Sequence, residues 1–97
     1  MSRGKTKKEL IESLPHHCFW VNNGPILSDL QELYRALLEE ITPEQFSHHV
    51  NYERNDFADW IENTLYDKKC ADRIRKVKKQ NTAADKVKRC LNDYRLN

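Results

Sequence analysis

The sequence predicts an all-α protein, a compact bundle of five to six short helices with one short extended segment near residues 18-27. Its 97 residues include two glycines and three prolines, and this scarcity favours helices over a turn-rich β fold. Apolar residues recur at helical spacing along most of the chain, and capping residues precede these stripes. A chain of this length forms one domain. We expect that domain to span residues 9–97, after a basic, disordered tail at residues 1–8.

The first helix is predicted over residues 9–14. Thr6 lies three residues before Glu9, a spacing at which the two side chains satisfy backbone N–H groups at a helix start. A short apolar stripe follows, and Pro15 ends the helix because it cannot continue the backbone hydrogen bonding.

The stretch from residue 18 to residue 27 has no helical pattern. Residues 18–21 are aromatic or β-branched, apart from the leading cysteine, and residues 22–25 read Asn-Asn-Gly-Pro, which indicates a turn. A minimal hairpin fits this pattern, but two short strands alone are marginally stable. We therefore predict an extended apolar segment that packs on the helices.

Five later helices begin at residues with good capping chemistry. Ser28 and Thr42 each lie three residues before a glutamine, which is the spacing of a capping box. Asn55, Asp67 and Thr82 are the expected caps of the last three helices. The apolar residues predicted to face the core from the longer helices are Leu30, Leu33, Tyr34, Leu37, Leu38, Ile41, Phe57, Trp60, Ile61, Leu65, Ile74, Val77, Ala84, Val87, Leu91 and Tyr94.

The three cysteines, Cys18, Cys70 and Cys90, do not form a pattern typical of a disulfide framework. Cys70 and Cys90 fall on apolar stripes, where a free thiol behaves as a small hydrophobic group. We therefore expect buried free thiols and a reducing, cytoplasmic compartment. No apolar run reaches the length of a membrane span, and the basic N-terminus lacks the apolar region of a secretion signal.

Charge is distributed unevenly along the chain, although the net charge is only +2. Residues 9–67 contain twelve acidic and two basic side chains, whereas residues 68–97 contain eleven basic and three acidic ones. Oppositely charged helices could pack against each other, the basic part could bind nucleic acid, or it could meet an acidic protein or a second copy of the chain. The candidate contacts for an anionic partner are Lys68, Lys69, Arg73, Arg75, Lys76, Lys78, Lys79, Lys86, Lys88 and Arg89.

The sequence supports the nucleic-acid alternative weakly. No aromatic residue interleaves with the basic run to stack on bases. The isoelectric point of about 8.5 is below the value above 9 that is typical of a dedicated phosphate binder.

Two histidine doublets, His16-His17 and His48-His49, do not predict a metal site. Zinc ligands on a helix come at wider spacing, and adjacent helical side chains point about 100° apart. No serine or cysteine nucleophile is placed beside a histidine either. We predict no catalytic residue, no metal and no cofactor.

An ordered series of motifs runs along the chain. Its members are residues 19–24 (FWVNNG), 30–33 (LQEL), 46–50 (FSHHV) and 55–61 (NDFADWI). The series resembles an uncharacterised prokaryotic domain-of-unknown-function family with the signature F-x-x-x-x-G, L-x-x-L, F-x-x-H-V and N-D-F-x-x-W-I, over about residues 19–90. Asn23 stands where an acid often precedes the glycine, and Cys70 stands where leucine is usual. The resemblance implies one domain and no established activity.

The motif has two possible roles. Its residues are His49, Asn51, Asn55, Asp56, Phe57 and Trp60. In the structural role, His49 hydrogen-bonds into the link before the next helix, to Asn55 or a backbone carbonyl, while Trp60 fills the core with its indole N–H satisfied. In the alternative, His49, Asn51, Asn55 and Asp56 line a small polar recognition site. We favour the structural role.

Taken as a sequence, the chain is expected to be a small non-catalytic interaction module with the basic C-terminal helical face as its contact surface. The partner is an unknown protein or a second copy of the chain. The alternative is a nucleic-acid-binding protein that uses the same face through phosphate contacts. No membrane partner is expected.

Overall fold

Five α-helices make up most of the structure, a computed structural model that describes residues 7–95. The helices are α1 (Leu30–Glu39), α2 (Pro43–His49), α3 (Asp56–Asn63), α4 (Lys68–Arg75) and α5 (Gln80–Leu91). The strands are β1 (Lys8–Glu9), β2 (Phe19–Trp20), β3 (Ile26–Leu27) and β4 (Tyr94–Arg95), and a 3-10 turn covers Pro15–His17. The mostly helical fold is confirmed, but two small sheets make it less than purely all-α. Residues 1–6 of the predicted tail lie outside the described residues.

Most helix starts lie where capping chemistry predicted them. Thr42 forms a complete capping box with Gln45, because each side chain accepts a hydrogen bond from the other residue's backbone N–H. Asn55 caps α3 and Asp67 caps α4, each by accepting from the backbone N–H three residues later. At α1 the cap is Asp29, one residue later than predicted.

The predicted start of the last helix at Thr82 is wrong. Helix α5 begins at Gln80, and Lys79 precedes it without a side-chain cap. The Gln80 amide instead donates to the carbonyl oxygens of Leu37 (2.9 Å) and Ile41 (2.7 Å) at the end of α1. This contact satisfies the carbonyl of Leu37 in the last turn of α1 and that of Ile41 just beyond the helix, so tertiary packing stabilises the start of α5 at Gln80.

The predicted helix over residues 9–14 is also wrong. Lys8 and Glu9 form β1, which pairs in parallel with Tyr94 and Arg95 of β4. Further along, the backbone N–H and the hydroxyl of Ser13 both donate to the carbonyl of Ser28. A six-residue helix is marginal by itself, and these long-range backbone partners hold the segment extended.

Residues 19–27 form a hairpin rather than a single extended segment. Phe19 pairs with Leu27 and Trp20 with Ile26, in antiparallel register. Asn23 occupies the turn with φ of 55°, a conformation that asparagine tolerates better than most residues. One face buries Phe19 and Leu27 against the helices, and this packing stabilises a hairpin that would be marginal alone.

One contiguous hydrophobic core runs through the molecule. Helix α1 packs on α5, and α4 packs on both α3 and α5. The radius of gyration of 13.2 Å is close to the value of about 13 Å expected for a compact domain of 100 residues. The largest fully buried side chains are Phe57, Leu30, Leu33, Ile61, Ile74 and Val87.

Cys70 and Cys90 are buried as predicted, but they are not free thiols. They form a disulfide that joins α4 to α5, and Cys18 is unpaired. Helical spacing predicts that both positions are buried, but it does not show that they face each other across two helices. The expectation of a reducing, cytoplasmic compartment rested on free thiols, so the bridge removes that support. Among residues 7–95, no helix combines the length and apolarity needed to cross a bilayer.

Candidate functional site: a basic groove between two helices

A groove lies between α4 and α5. It is open to solvent and has a volume of about 780 Å³. Its lining residues are Lys69, Asp72, Arg73, Lys76, Val77, Lys78, Lys79, Thr82 and Lys86. Most of these side chains are cationic, which makes the groove a candidate site for anions.

Helical spacing explains why these cations share one surface. Lys69, Arg73 and Lys76 follow each other at intervals of four and three residues, so they lie along one face of α4. Lys86 and Arg89 do the same on α5. The opposite faces of both helices carry the buried apolar residues, so burial of the core directs these cations outward into the groove.

The groove continues toward the C-terminal end of α5. A second depression of about 440 Å³ shares Lys69, Arg73 and Lys86 with the first and adds Arg89 and Asp93. We call the combined surface the basic groove. Its basic residues are Lys69, Arg73, Lys76, Lys78, Lys79, Lys86 and Arg89, and its acidic residues are Asp72 and Asp93.

The ion pairs of the described residues do not include the cations of the basic groove. Among residues 7–95, none of the seven forms an ion pair with a carboxylate within 4.0 Å. Of the two acids, Asp72 is already engaged by Lys68 at 3.0 Å. The groove therefore carries a net positive charge, with seven cations and two carboxylates.

Three of the ten predicted contact residues lie elsewhere. Arg75 faces α3, where its guanidinium binds Asp59 (2.7 Å) and Glu62 (2.6 Å). The hydrogen bond to Asp59 is the main reason that the pKa of Arg75 is raised above its ordinary value. Lys68 pairs with Asp72, which raises the pKa of Lys68. Lys88 lines neither depression. Internal pairing with the acidic middle segment thus accounts for Arg75 and leaves the groove cations unpaired.

A smaller cleft adjoins one end of the basic groove. It has a volume of about 200 Å³ and lies beside the turn of residues 51–54. Lys78 lines both the groove and this cleft, and its Nζ donates to the carbonyl of Asn51 at 3.1 Å. Tyr52 also lines the cleft and is 100% exposed.

His49 uses both of its ring nitrogens inside the fold. Nε2 accepts a hydrogen bond from the backbone N–H of Asn22 at 3.0 Å, which places the ring proton on Nδ1. Nδ1 then donates to Oδ2 of Asp56 at 2.9 Å. The predicted partners, Asn55 or a backbone carbonyl, are wrong. With 7% of its surface exposed, His49 joins the hairpin to α3 and offers no open nitrogen to a ligand.

The other motif residues are engaged in the same way. The Asn55 side chain caps α3 and donates to the carbonyl of Ile74, while Asn51 accepts from two backbone N–H groups of its own turn. The indole N–H of Trp60 donates to the carbonyl of His17 at 2.9 Å. Phe57 lies fully buried against Phe19 with ring centroids 4.6 Å apart. These contacts favour the structural role of the motif over a polar recognition site.

Sequence reasoning missed several residues of the site. Thr82 and Asp93 line the groove, and Tyr52 lines the small cleft that shares Lys78 with it. Lys69, Arg73 and Lys76 recur at helical spacing, whereas Arg75 falls outside this pattern. The sequence alone could therefore have placed Arg75 on another face of α4. No local pattern brings the turn of Tyr52 to Lys78, because the contact that joins them, from Lys78 to the carbonyl of Asn51, links residues 27 positions apart.

The part of the chain that the structure describes contains no cluster of three or more histidine, cysteine, aspartate or glutamate side chains that could hold a metal ion. No family model, curated protein or solved structure matches this chain. The resemblance to an uncharacterised prokaryotic family therefore stays a prediction, and the function is argued from the basic groove alone.

Proposed function

We propose that this protein is a small non-catalytic binding module whose basic groove holds a polyanionic ligand, with a phosphate-bearing chain as the favoured class. The observation that carries the proposal is the set of seven groove cations, none of which forms an ion pair with a carboxylate among residues 7–95. Support for a non-catalytic role comes from His49, the histidine nearest a carboxylate, whose ring nitrogens are both occupied.

The cations of the basic groove repel each other, and an anionic ligand would relieve this repulsion. Like charges on neighbouring helices repel each other, and this repulsion opposes the packing of α4 on α5. The disulfide between Cys70 and Cys90 holds the two helices together against it. A polyanion in the groove would replace the repulsion with attraction and release condensed counterions from the ligand.

The basic groove contains two arginines as well as lysines. Arg73 and Arg89 each present a planar fork of N–H donors that suits bidentate contact with an anionic group. The lysines supply point charges along the length of the groove. A continuous phosphate chain places anions at regular intervals and so can engage both kinds of cation along one path.

Binding to inorganic polyphosphate, measured by competition against a fluorescent polyanion at several salt concentrations, tests the proposal. A triple variant, Lys69→Gln/Arg73→Gln/Lys86→Gln, removes three groove charges. The matched control, Arg35→Gln/Lys88→Gln/Arg95→Gln, removes three charges that do not line the groove and leaves Lys68 paired with Asp72. Each lost contact should reduce the slope of log K against log salt by about 0.7 to 0.9.

The expected result is salt-dependent binding that the groove variant loses and the control largely keeps. Equal losses in both variants would show that net charge matters and the groove does not. If polyphosphate fails to bind at about 50 mM salt while poly-glutamate binds, the partner is an acidic protein instead. Salt-sensitive dimerisation of the chain alone would indicate self-association through the acidic segment.

A further inference from the structure

The wholly exposed side chain of Tyr52 lines the small cleft that shares Lys78 with the basic groove. We propose that the groove takes single-stranded nucleic acid, with its phosphates along the groove cations and one base stacked on Tyr52. This inference rests on the proposed function, since it names the ligand class of the same groove. It adds a recognition element that charge alone does not provide.

The turn that carries Tyr52 is well fixed. Val50 and Asn55 form an antiparallel bridge across its base. Within it, the N–H of Asn51 donates to the carbonyl of Arg54, and the Asn51 side chain accepts from the N–H groups of Glu53 and Arg54. Tyr52 is therefore presented on an ordered turn, so that stacking on its ring requires little further ordering of the backbone.

Lys78 connects this turn to the groove. Its Nζ contacts the carbonyl of Asn51, the residue next to Tyr52, and its side chain lines the groove beside Lys76 and Lys79. A strand whose phosphates lie along the groove and that continues past Lys78 would reach the cleft that Tyr52 lines together with Arg54, Glu53 and Asp59. A cationic path followed by an aromatic face is the arrangement by which proteins bind single strands without reading their sequence.

The ring discriminates between classes of polyanion. A single strand has unpaired bases that can turn a flat face toward tyrosine, whereas the bases of a duplex are already stacked and paired. Inorganic polyphosphate and acidic peptides have no such face. Of the polyanions that fit the charge, single-stranded nucleic acid is the class that also uses Tyr52.

The test is fluorescence anisotropy with two labelled probes, an oligothymidylate of about 15 nucleotides and an oligomer of the same length that carries abasic sites throughout. Tyr52→Ala removes the ring, and Tyr52→Phe keeps its face. Tyr66→Ala is the matched control, because Tyr66 is 78% exposed and does not line the groove. Since the Tyr52 side chain makes no buried contact, its removal should leave the fold intact.

We expect Tyr52→Ala to weaken oligothymidylate binding by about 5- to 100-fold, the range for loss of one base–aromatic stack. Its affinity for the abasic probe should stay close to that of the original protein, and Tyr52→Phe and Tyr66→Ala should bind both probes normally. Unchanged oligothymidylate binding by Tyr52→Ala, equal losses on both probes, or tighter binding of the matching duplex would overturn this inference. Those results would not contradict the proposal that the groove binds polyanions. If neither polyphosphate nor the abasic probe binds, the proposed function itself is wrong.

Discussion

The hydroxyl of Tyr94 donates a 2.6 Å hydrogen bond to Oδ2 of Asp67, at the point where the two ends of the described chain meet the start of α4. Asp67 is 4% exposed and also accepts from the backbone N–H of Cys70 (3.0 Å) and from Nζ of Lys8 (3.2 Å). One carboxylate thus caps a helix and joins it to β1 and to β4.

The hydrogen bond between Tyr94 and Asp67 predicts that the free energy of unfolding decreases at both low and high pH. Burial acts to raise the pKa of Asp67, but hydrogen bonds from Tyr94, Cys70 and Lys8 outweigh it and hold the pKa below the ordinary value of 3.8. The unfolded chain then takes up the proton first, so this stabilisation is complete above pH 3.8 and is lost as the pH falls further. Burial and the bond to Asp67 raise the pKa of Tyr94 above 10, so its contribution is complete below pH 10 and is lost above it.

Urea unfolding of the original protein and of Tyr94→Phe across the pH range checks this prediction. We expect the variant to be less stable by about 1.5 to 3 kcal/mol near neutrality, the usual value for a hydrogen bond to a charged group. The difference between the two proteins should be level between pH 3.8 and pH 10 and should shrink outside that window. Because other carboxylates are unchanged in the variant, a difference independent of pH would show that the two groups are not coupled.

Replacing His49 separates the two roles of the central motif. His49→Gln cannot hold both the N–H of Asn22 and the carboxylate of Asp56 in the same geometry. A buried donor or acceptor left without a partner costs about 1 to 3 kcal/mol, so we expect a clear drop in the melting temperature. The matched control is His48→Gln, since His48 is the exposed neighbour on the same helix. Unchanged stability together with weaker ligand binding would instead support a recognition site.

Local chemistry explains which parts of the fold could be predicted. Asn55 and Asp67 each accept a hydrogen bond from a backbone N–H three residues later. Because both partners lie in the same short segment, a local sequence pattern predicts the interaction. Lys8 pairs with Tyr94 from the other end of the chain, and no local pattern at Lys8 shows this. The helix predicted there fails for that reason.

In the candidate site too, local spacing predicts some features, whereas others depend on contacts between distant segments. The cations along α4 share a face because of helical spacing alone, so a closer reading of the sequence separates Arg73 from Arg75. The union of α4 and α5 into one groove depends on their packing, and the approach of Lys78 to Asn51 depends on the link between α4 and α5. Tyr52 therefore could not be assigned to the site before the fold was known.

The disulfide between Cys70 and Cys90 predicts a measurable loss of stability on reduction. Its cysteines are 20 residues apart, and a loop of that size corresponds to about 3 kcal/mol of stabilisation in the chain-entropy model. Unfolding with and without a dithiol reductant measures this difference, and Cys18→Ser should respond to the reductant as the original protein does. Alkylation of the unfolded, unreduced chain should modify Cys18 alone. Modification of all three cysteines would show that Cys70 and Cys90 are free thiols.

Crowding of like charges in the basic groove predicts that removing a groove cation stabilises the protein. Lys69→Gln and Lys86→Gln each relieve repulsion between α4 and α5, so we expect the melting temperature to rise by a few degrees at low salt. At about 1 M salt the Debye length is about 3 Å, and the gain should disappear. Arg75→Gln is the opposite control, because that guanidinium binds Asp59 and Glu62 and its loss should lower stability. If the groove variants are destabilised as Arg75→Gln is, the groove cations have internal partners, and this result would contradict the proposal of an external anion. Stabilised variants that bind polyphosphate more weakly would instead show the trade-off between stability and function that is expected of a binding surface.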